Sequence, residues 1–454
     1  MKATTFLFYL LLALLPTQLG RHFFFDFSLL NGIRSDYLAP TIYLTDIIII
    51  SMVLTWLIER KIQHQNSNDQ NSKLPHPNPL LLGEGKWVRS FKHLNLFRIS
   101  DFGFRISIFI IGYLLFTSIF VASNQFAALY KLVKIVEFIL LGWVIVRIRP
   151  NLLTVLTVLS FSVFYSSLIA FGQYILQRSV GGLLWFLGER NFYSGTPGIA
   201  AVSFNGGLTL RSYATFPHPN VLGGFLAVVL PLLLAAIFNL YKIFRKIHIF
   251  WFLLTILVGF ITLIITFSRA AWLTAFLGFF LILLNRKKVF LNWLKNHQNL
   301  TLIIFYGLIF FSVVTPLVFP KNSFMKGESW EERSQLTNAT LSITLSHPYI
   351  GVGLNNFIVQ VRPFINLYSG IYQFQPVHNI YLLIFAETGL IGFLLFLFFQ
   401  LVVFRRSIST SYLITFPLIQ LFLLGLFDHY LFTLQQGQLM FVIFASLALI
   451  PRRV

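Results

Sequence analysis

The chain of 454 residues contains no cysteine. Disulfides, thiolate zinc sites and cysteine nucleophiles are excluded, while the compartment stays open. Charge is scarce too: 11% of residues are charged, and 14 carboxylates face 34 Lys and Arg. No H-E-x-x-H or Walker A sequence occurs, and no outward D-x-D or E-x-D cluster offers hard oxygen ligands to a divalent ion. Gly351-x-Gly353 alone is a turn. No tandem repeat or internal duplication of the transporter kind is present. After Lys2 and the apolar run Phe6 to Leu15, no small-x-small cleavage site follows, so this run reads as a retained first helix.

What remains is apolar. With 57% hydrophobic residues, 53 of them Phe, and a mean hydropathy of +0.78, the composition excludes an ordinary soluble globule. The expected fold class is an all-α polytopic membrane protein of about twelve transmembrane helices, with a large, partly helical outer (periplasmic) loop. Spans are expected near residues 4–20, 41–58, 106–123, 126–146, 151–176, 219–240, 249–267, 270–285, 299–319, 379–402, 410–427 and 431–450.

The connections alternate in charge. Lys2, the stretch 59–105, Arg147/Arg149, Lys242/Arg245/Lys246, Arg286 to Lys295, Arg405/Arg406 and Arg452/Arg453 hold most of the Lys and Arg and fall on one side. The positive-inside rule makes that side cytoplasmic, with both termini. Anionic headgroups, not nucleic acid, are the counter-charge for a net +20 spread between apolar segments. Residues 62–85 read as a flexible linker without a site. Two regions follow: 1–204, N-terminal helices with cytoplasmic linker 59–105 and the start of an outer loop, and 205–450, which includes outer loop 320–378.

The chain is organised around Lys321 to Gly392, a polar insertion between greasy segments. Ser329-Trp-Glu-Glu332 has the S-x-x-E form of a capping box and predicts a helix through Leu336 and Ile343. That helix stops before His347-Pro348. Gly351-Val-Gly353 then turns the chain, and a short helix is expected from Asn355 towards Arg362-Pro363.

Four further constellations carry chemistry. Asn205-Gly206-Gly207 is a hairpin signal that places Arg211 on an outer hairpin, followed by Phe216-Pro-His218-Pro-Asn220 with Asn220 as a helix cap; an arginine on headgroups is the other reading of Arg211. Arg269 opens a span too short for the bilayer core, where a cation must meet protein, water or an anion. Arg333 sits in the first turn of the loop helix, either free for a ligand or paired with Glu331 or Glu332. His378 begins a helix at the membrane edge, placed to act as a general base. Asp428-His429 forms a polar pair on the same face. Lys131, Lys134 and Glu137 share one helix face; Lys134 and Glu137 neutralise each other, leaving Lys131 as a structural group or a phosphate contact. Arginines plus histidine with few carboxylates suit a diphosphate held without metal.

At these residues the chain resembles the O-antigen ligase and O-antigen polymerase (Wzy-type) superfamily of bacterial membrane glycosyltransferases. The resemblance covers about 205–450. It rests on Arg211 with Ala214-Thr-Phe216 and His218-Pro-Asn220, on Thr266-Phe-Ser-Arg269 with Trp272-Leu273, and on Arg333 ahead of His347-Pro-Tyr-Ile-Gly351-Val-Gly353. It rests above all on His378-Asn379, then Gly389 and Gly392. The resemblance implies an enzyme of the bacterial inner membrane that needs no cofactor and transfers a glycan from a polyprenyl (undecaprenyl) diphosphate carrier to an outer-leaflet acceptor, with inversion. It assigns Arg211, Arg269 and Arg333 to the diphosphate and His378 to the acceptor hydroxyl, with Asn379, His218, Asn220, Lys131, Asp428 and His429 in support. Protein-glycosylating relatives often carry an additional C-terminal segment, so an end at Val454 soon after the twelfth span weighs against a protein acceptor, and a glycolipid or glycan acceptor is expected. A ligase and a polymerase would use the same residues. The competing class is a transporter or flippase of lipid-linked sugars, which places charges at the midplane of two related halves; a glycan-binding protein without activity is the third reading.

Overall fold

A computed structural model describes residues 2–72, 101–204, 207–241, 244–284, 292–293, 296–318, 328–364 and 374–451. The described residues are mostly helical. In chain order the helices are α1 (Ala3–Ala13), α2 (Leu44–Ser72), α3 (Asp101–Phe120), α4 (Gln125–Ile148), α5 (Leu152–Leu176), α6 (Pro219–Leu240), α7 (Lys246–Ile265), α8 (Arg269–Leu284), α9 (Gln298–Val318), α10 (Glu328–Ser346), α11 (Phe357–Gln360), α12 (Ile380–Thr410), α13 (Tyr412–Leu424), α14 (Tyr430–Thr433) and α15 (Gln435–Leu449). Among the described residues, strand is confined to three small antiparallel pairs: β1 (Gly20–His22) with β4 (Thr41–Tyr43), β2 (Leu29–Leu30) with β3 (Ile33–Arg34), and β5 (Ala201–Phe204) with β6 (Gly207–Leu210).

Among the described residues, four helices are long and apolar enough to cross a membrane: α5, α6, α7 and α12. Apolar stretches in α1, α3, α8, α9, α13 and α15 are shorter. The linker reading needs correction at its start, because α2 continues helically to Ser72; residues 73–100 lie outside the described residues, as do 319–327 and 365–373 of the outer loop.

Helix α6 is the hub. It is apolar on every side and buried almost throughout, as a central helix must be. Its first turns carry Gly223 and Gly224, where a Cβ would stand 3.0 Å from Ala271 Cβ and 1.9 Å from Tyr430 Oη respectively. Small residues let backbones approach, so this pair admits the start of α8 and the α14 turn to the N-terminal end of α6. Lower down, Gln420 of α13 donates to Ala227 O at 2.7 Å and Thr274 O at 3.1 Å, tying α13 to α6 and α8.

A second device shapes α12. Its φ reverses to +61° at Gly389, which breaks the helix. The freed carbonyls are taken by the Gly351 turn: Val352 N donates to Ala386 O at 3.0 Å and Gly353 N to Glu387 O at 2.9 Å, while Leu390 N returns a bond to Pro348 O at 2.9 Å. A Cβ on Gly389 would lie 2.3 Å from Ile350 N, and one on Gly351 2.5 Å from Glu387 C. The two glycine motifs are therefore one interlock, and it holds the α12 segment that begins after His378.

Helix α10 ends at Ser346, directly before His347-Pro348 as the sequence predicts. The expected short helix is a single turn, Phe357–Gln360, followed by a 3-10 turn, Arg362–Phe364. Buried between α2 and α4, Lys134 Nζ meets Asp46 Oδ1 and Glu137 Oε2, both at 2.6 Å. The expected Lys134 and Glu137 pair thus gains a partner from another helix.

Candidate functional site

The β5–β6 hairpin delivers Arg211. Its backbone continues the ladder, Arg211 N donating to Ala200 O at 3.1 Å. The guanidinium then makes two bonds: Nε donates to Thr266 O at 2.8 Å and an Nη donates to Asn220 Oδ1 at 2.6 Å. Thr266 caps the C-terminal end of α7, where carbonyls lack helical partners and carry partial negative charge. Arg211 is thus held by two protein partners, with further guanidinium N–H donors left over.

Asn220 is not the helix cap expected of it. Pro219 takes the first helical position, which suits its fixed φ, and His218 is the N-cap, its Nδ1 accepting from Asn220 N at 3.1 Å. That releases the Asn220 amide to face outward. Its oxygen takes the Arg211 donor, and its Nδ2 donates to Asp428 Oδ2 at 2.8 Å. A guanidinium only donates and an ionised carboxylate only accepts, so this orientation of the amide is forced.

Asp428 collects three groups. Besides Asn220, its Oδ1 accepts from His378 Nδ1 at 3.3 Å and from His429 N at 2.8 Å. Because the carboxylate accepts, His378 Nδ1 carries the hydrogen, and in the neutral ring Nε2 holds a free lone pair. The His378 and His429 rings lie 5.1 Å apart, and His429 Nδ1 shares a 2.7 Å bond with the Thr433 hydroxyl. His378 stays partly open, with 15% of its side chain exposed. It is the more accessible of the two rings.

The charges are mutually tuned. Burial alone would raise the Asp428 carboxyl, but the hydrogen bond and charge of His378, with His429 and Arg333, hold it well below the usual carboxylate range. Burial pushes His218 and His429 each down to about 3, reinforced by neighbouring cations and opposed by Asp428. Both rings are therefore neutral near pH 7. Burial also lowers Arg211; Tyr213 and Asp428 oppose this, while Arg333 and Arg269 add to it. Arg269 and Arg333 thus add positive potential to the space around the Arg211 guanidinium. An anion placed there relieves the repulsion.

The sequence-derived residues thus fall into groups. Arg211, Asn220, Asp428, His378 and His429 form one hydrogen-bonded chain, with His218 beneath it. Arg269, exposed at the first position of α8, and Arg333 lie within electrostatic reach of Arg211. Arg333 Nη1 reaches the Phe427 carbonyl at 3.5 Å, and Glu332 accepts from Gln375 Nε2 at 2.7 Å. Asn379 is the N-cap of α12, accepting from Tyr381 N and Leu382 N. Lys131 stands apart from the arginines: its buried ammonium donates to the Phe432 carbonyl and lies over the Phe432 ring. Sequence reading passed over Arg190, which donates to Pro217 O at 3.0 Å and lies 5.7 Å over Tyr213, and Tyr37, edge-on to His429 at 5.7 Å. Neither stands in a recognisable motif.

His378, Asp428 and His429 offer ligand atoms within 4.8 Å of one another. The Asp428 carboxylate already accepts from Asn220, His378 and His429, and neighbouring guanidiniums repel a further cation. The set suits an oriented base beside an anion better than a metal centre. Two cavities, of about 450 Å³ beside Tyr241 and Tyr412 and about 400 Å³ beside Phe27 and Phe126, are lined by none of these residues.

Residues 254–397 match the family model described as O-antigen ligase. The match includes Arg269, Arg333, His378 and the glycine interlock, and it supports the O-antigen ligase and polymerase superfamily. Arg211, Asn220 and Asp428 lie outside the matched segment. No curated protein matches the chain.

Proposed function

We propose, from its place in the O-antigen ligase and polymerase superfamily, that this membrane protein is a glycosyltransferase that moves a glycan from a polyprenyl diphosphate carrier to an outer-leaflet acceptor. The reading includes about twelve spans, cytoplasmic termini and a site on the extracytoplasmic face of the bacterial inner membrane. The observation that carries it is the continuous chain Arg211, Asn220, Asp428, His378, in which an anion-binding cation and an oriented base are joined by one amide and one carboxylate.

The chemistry follows from the atoms. His378 Nε2 removes the proton of the acceptor hydroxyl while Asp428 stabilises the imidazolium that forms. The acceptor oxygen bonds to the anomeric carbon as the bond from that carbon to the diphosphate oxygen breaks. Attack opposite the leaving group inverts the configuration. Negative charge grows on the leaving diphosphate, where Arg211, Arg269 and Arg333 supply the fixed cations that a metal ion would otherwise provide. The proton leaves His378 to water or to the departing diphosphate.

The test is transfer by the purified protein in vesicles, with a polyprenyl diphosphate sugar as donor, excess chelator present, and either a glycolipid acceptor or a second lipid-linked repeat unit. A new glycosidic bond is expected, and the acceptor used separates ligase from polymerase. Movement of the lipid-linked sugar across the bilayer without a new bond would make the protein a transporter.

A further inference from the structure

Between α5 and β5 the chain forms a loop with a closed neck. Arg178 and Tyr193 form an isolated antiparallel bridge, and Ser179 N donates to Phe192 O at 2.9 Å. Inside the loop sits the Glu189 carboxylate, 3% exposed. It accepts from Val180 N and Gly181 N, each at 2.7 Å, and from Gln173 Nε2 at 2.8 Å. A carboxylate with three donors satisfies the polar interior. The apolar side chains are left on the outside.

Those side chains lie on the 3-10 turn Gly182–Leu187: Leu183 is 81% exposed, Trp185 55% and Phe186 62%. Directly before the loop, the last turns of the span α5 expose Phe171, Ile175 and Leu176, a surface that faces lipid in a membrane. Arg178 and Arg190, both exposed, flank the turn. Apolar tips continuous with a lipid-facing helix, an indole and an arginine border match the headgroup boundary of a bilayer. In water the same residues would be an exposed apolar patch.

We propose that the Gly182–Leu187 turn is a membrane-interface anchor: Leu183, Trp185 and Phe186 enter the acyl boundary, and Arg178 and Arg190 meet anionic headgroup phosphates. The anchor is braced against the segment that carries Arg211. Gln173 also donates to Ala214 O at 2.9 Å and accepts from Tyr213 N at 3.0 Å and Ala214 N at 2.8 Å, and Arg190 donates to Pro217 O at 3.0 Å. Immersion of the turn therefore sets the depth of Arg211 below the bilayer surface. This last clause rests on the proposed transfer reaction; the anchoring itself does not.

Because the chain lacks cysteine, single nitroxide labels can be placed at Leu183→Cys and Phe186→Cys in the full protein in phosphatidylglycerol-containing vesicles. Ile175→Cys serves as the lipid reference and Ser342→Cys, exposed on the polar helix α10, as the loop reference. The anchor predicts that both labels show high collision rates with oxygen and low rates with a water-soluble nickel chelate, as Ile175→Cys does. Rates resembling those of Ser342→Cys overturn it. The triple variant Leu183→Ser, Trp185→Ser, Phe186→Ser tests the coupling: transfer falls by roughly fivefold or more in vesicles and is unchanged in detergent. An equal loss in both, or none in vesicles, overturns the coupling. If wild-type protein shows no transfer at all, the transferase reading fails while the label measurement still decides the anchor.

Discussion

Asn220 and Asp428, 208 positions apart in the chain, meet side chain to side chain at 2.8 Å. The bond joins an amide at the start of the central helix to a carboxylate on the loop between α13 and α14. It makes one unit of what would otherwise be two: the arginine proposed to hold an anion and the histidine proposed to meet an acceptor hydroxyl.

Replacing Asn220 should break that unit from both sides. Asn220→Ala removes two bonds to charged groups, and transfer should fall by roughly one to two orders of magnitude. Asn220→Asp should be worse, because two carboxylates then face each other. Initial rates with a lipid-linked donor check the order.

Acid should unfold the protein through its buried titrating groups. The folded-state value of Asp428 lies below its unfolded value, so its contribution is present above the ordinary carboxylate range and lost as pH falls through the depressed value. His218 and His429 are neutral when folded, with values near 3 against 6.5 when unfolded. The unfolded chain binds more protons between these limits, so stability declines as pH drops from about 6.5 towards 3. Melting temperatures in detergent at pH 7 and pH 4.5 should show the loss, and His429→Asn should lessen it.

The glycine interlock tolerates no side chain. Gly389→Ala and Gly351→Ala would each force a Cβ into backbone at positive φ, costing about 2 kcal/mol or more. Both variants should melt earlier, and a combined variant should lose less than the sum, since the two glycines serve one contact.

Lys134 compensates two buried carboxylates. Lys134→Met should destabilise by about 3–5 kcal/mol, and adding Asp46→Asn and Glu137→Gln should restore much of that. Thermal unfolding of the single and triple variants distinguishes this from simple loss of packing.

Much of this site was legible because its signals are local. Asn205-Gly-Gly207 between two short apolar runs gives the hairpin that carries Arg211, and His347-Pro348 gives the end of α10. Gly351 and Gly353 read as a turn from sequence, yet their purpose lies in the carbonyls of Ala386 and Glu387, which no local pattern reveals. Asn220 obeys a capping preference on paper but loses the cap to His218 once Pro219 opens the helix. Asp428 looks like half of a polar pair with its neighbour; its partners Asn220 and His378 are set by how α6, α12 and α13 converge. Lys131 shares a helix face with Lys134, and only packing against Phe432 distinguishes its environment. Long-range contacts of single polar residues leave no periodicity to read.

In the proposed mechanism Asp428 acts through His378, and the transfer rates of folded Asp428→Asn, His378→Ala and the combined variant decide whether it does. Membership in one catalytic unit predicts that each single change removes most of the transfer and that the combined variant is little slower than His378→Ala alone. Near-wild-type transfer by His378→Ala, or losses that multiply in the combined variant, would contradict it.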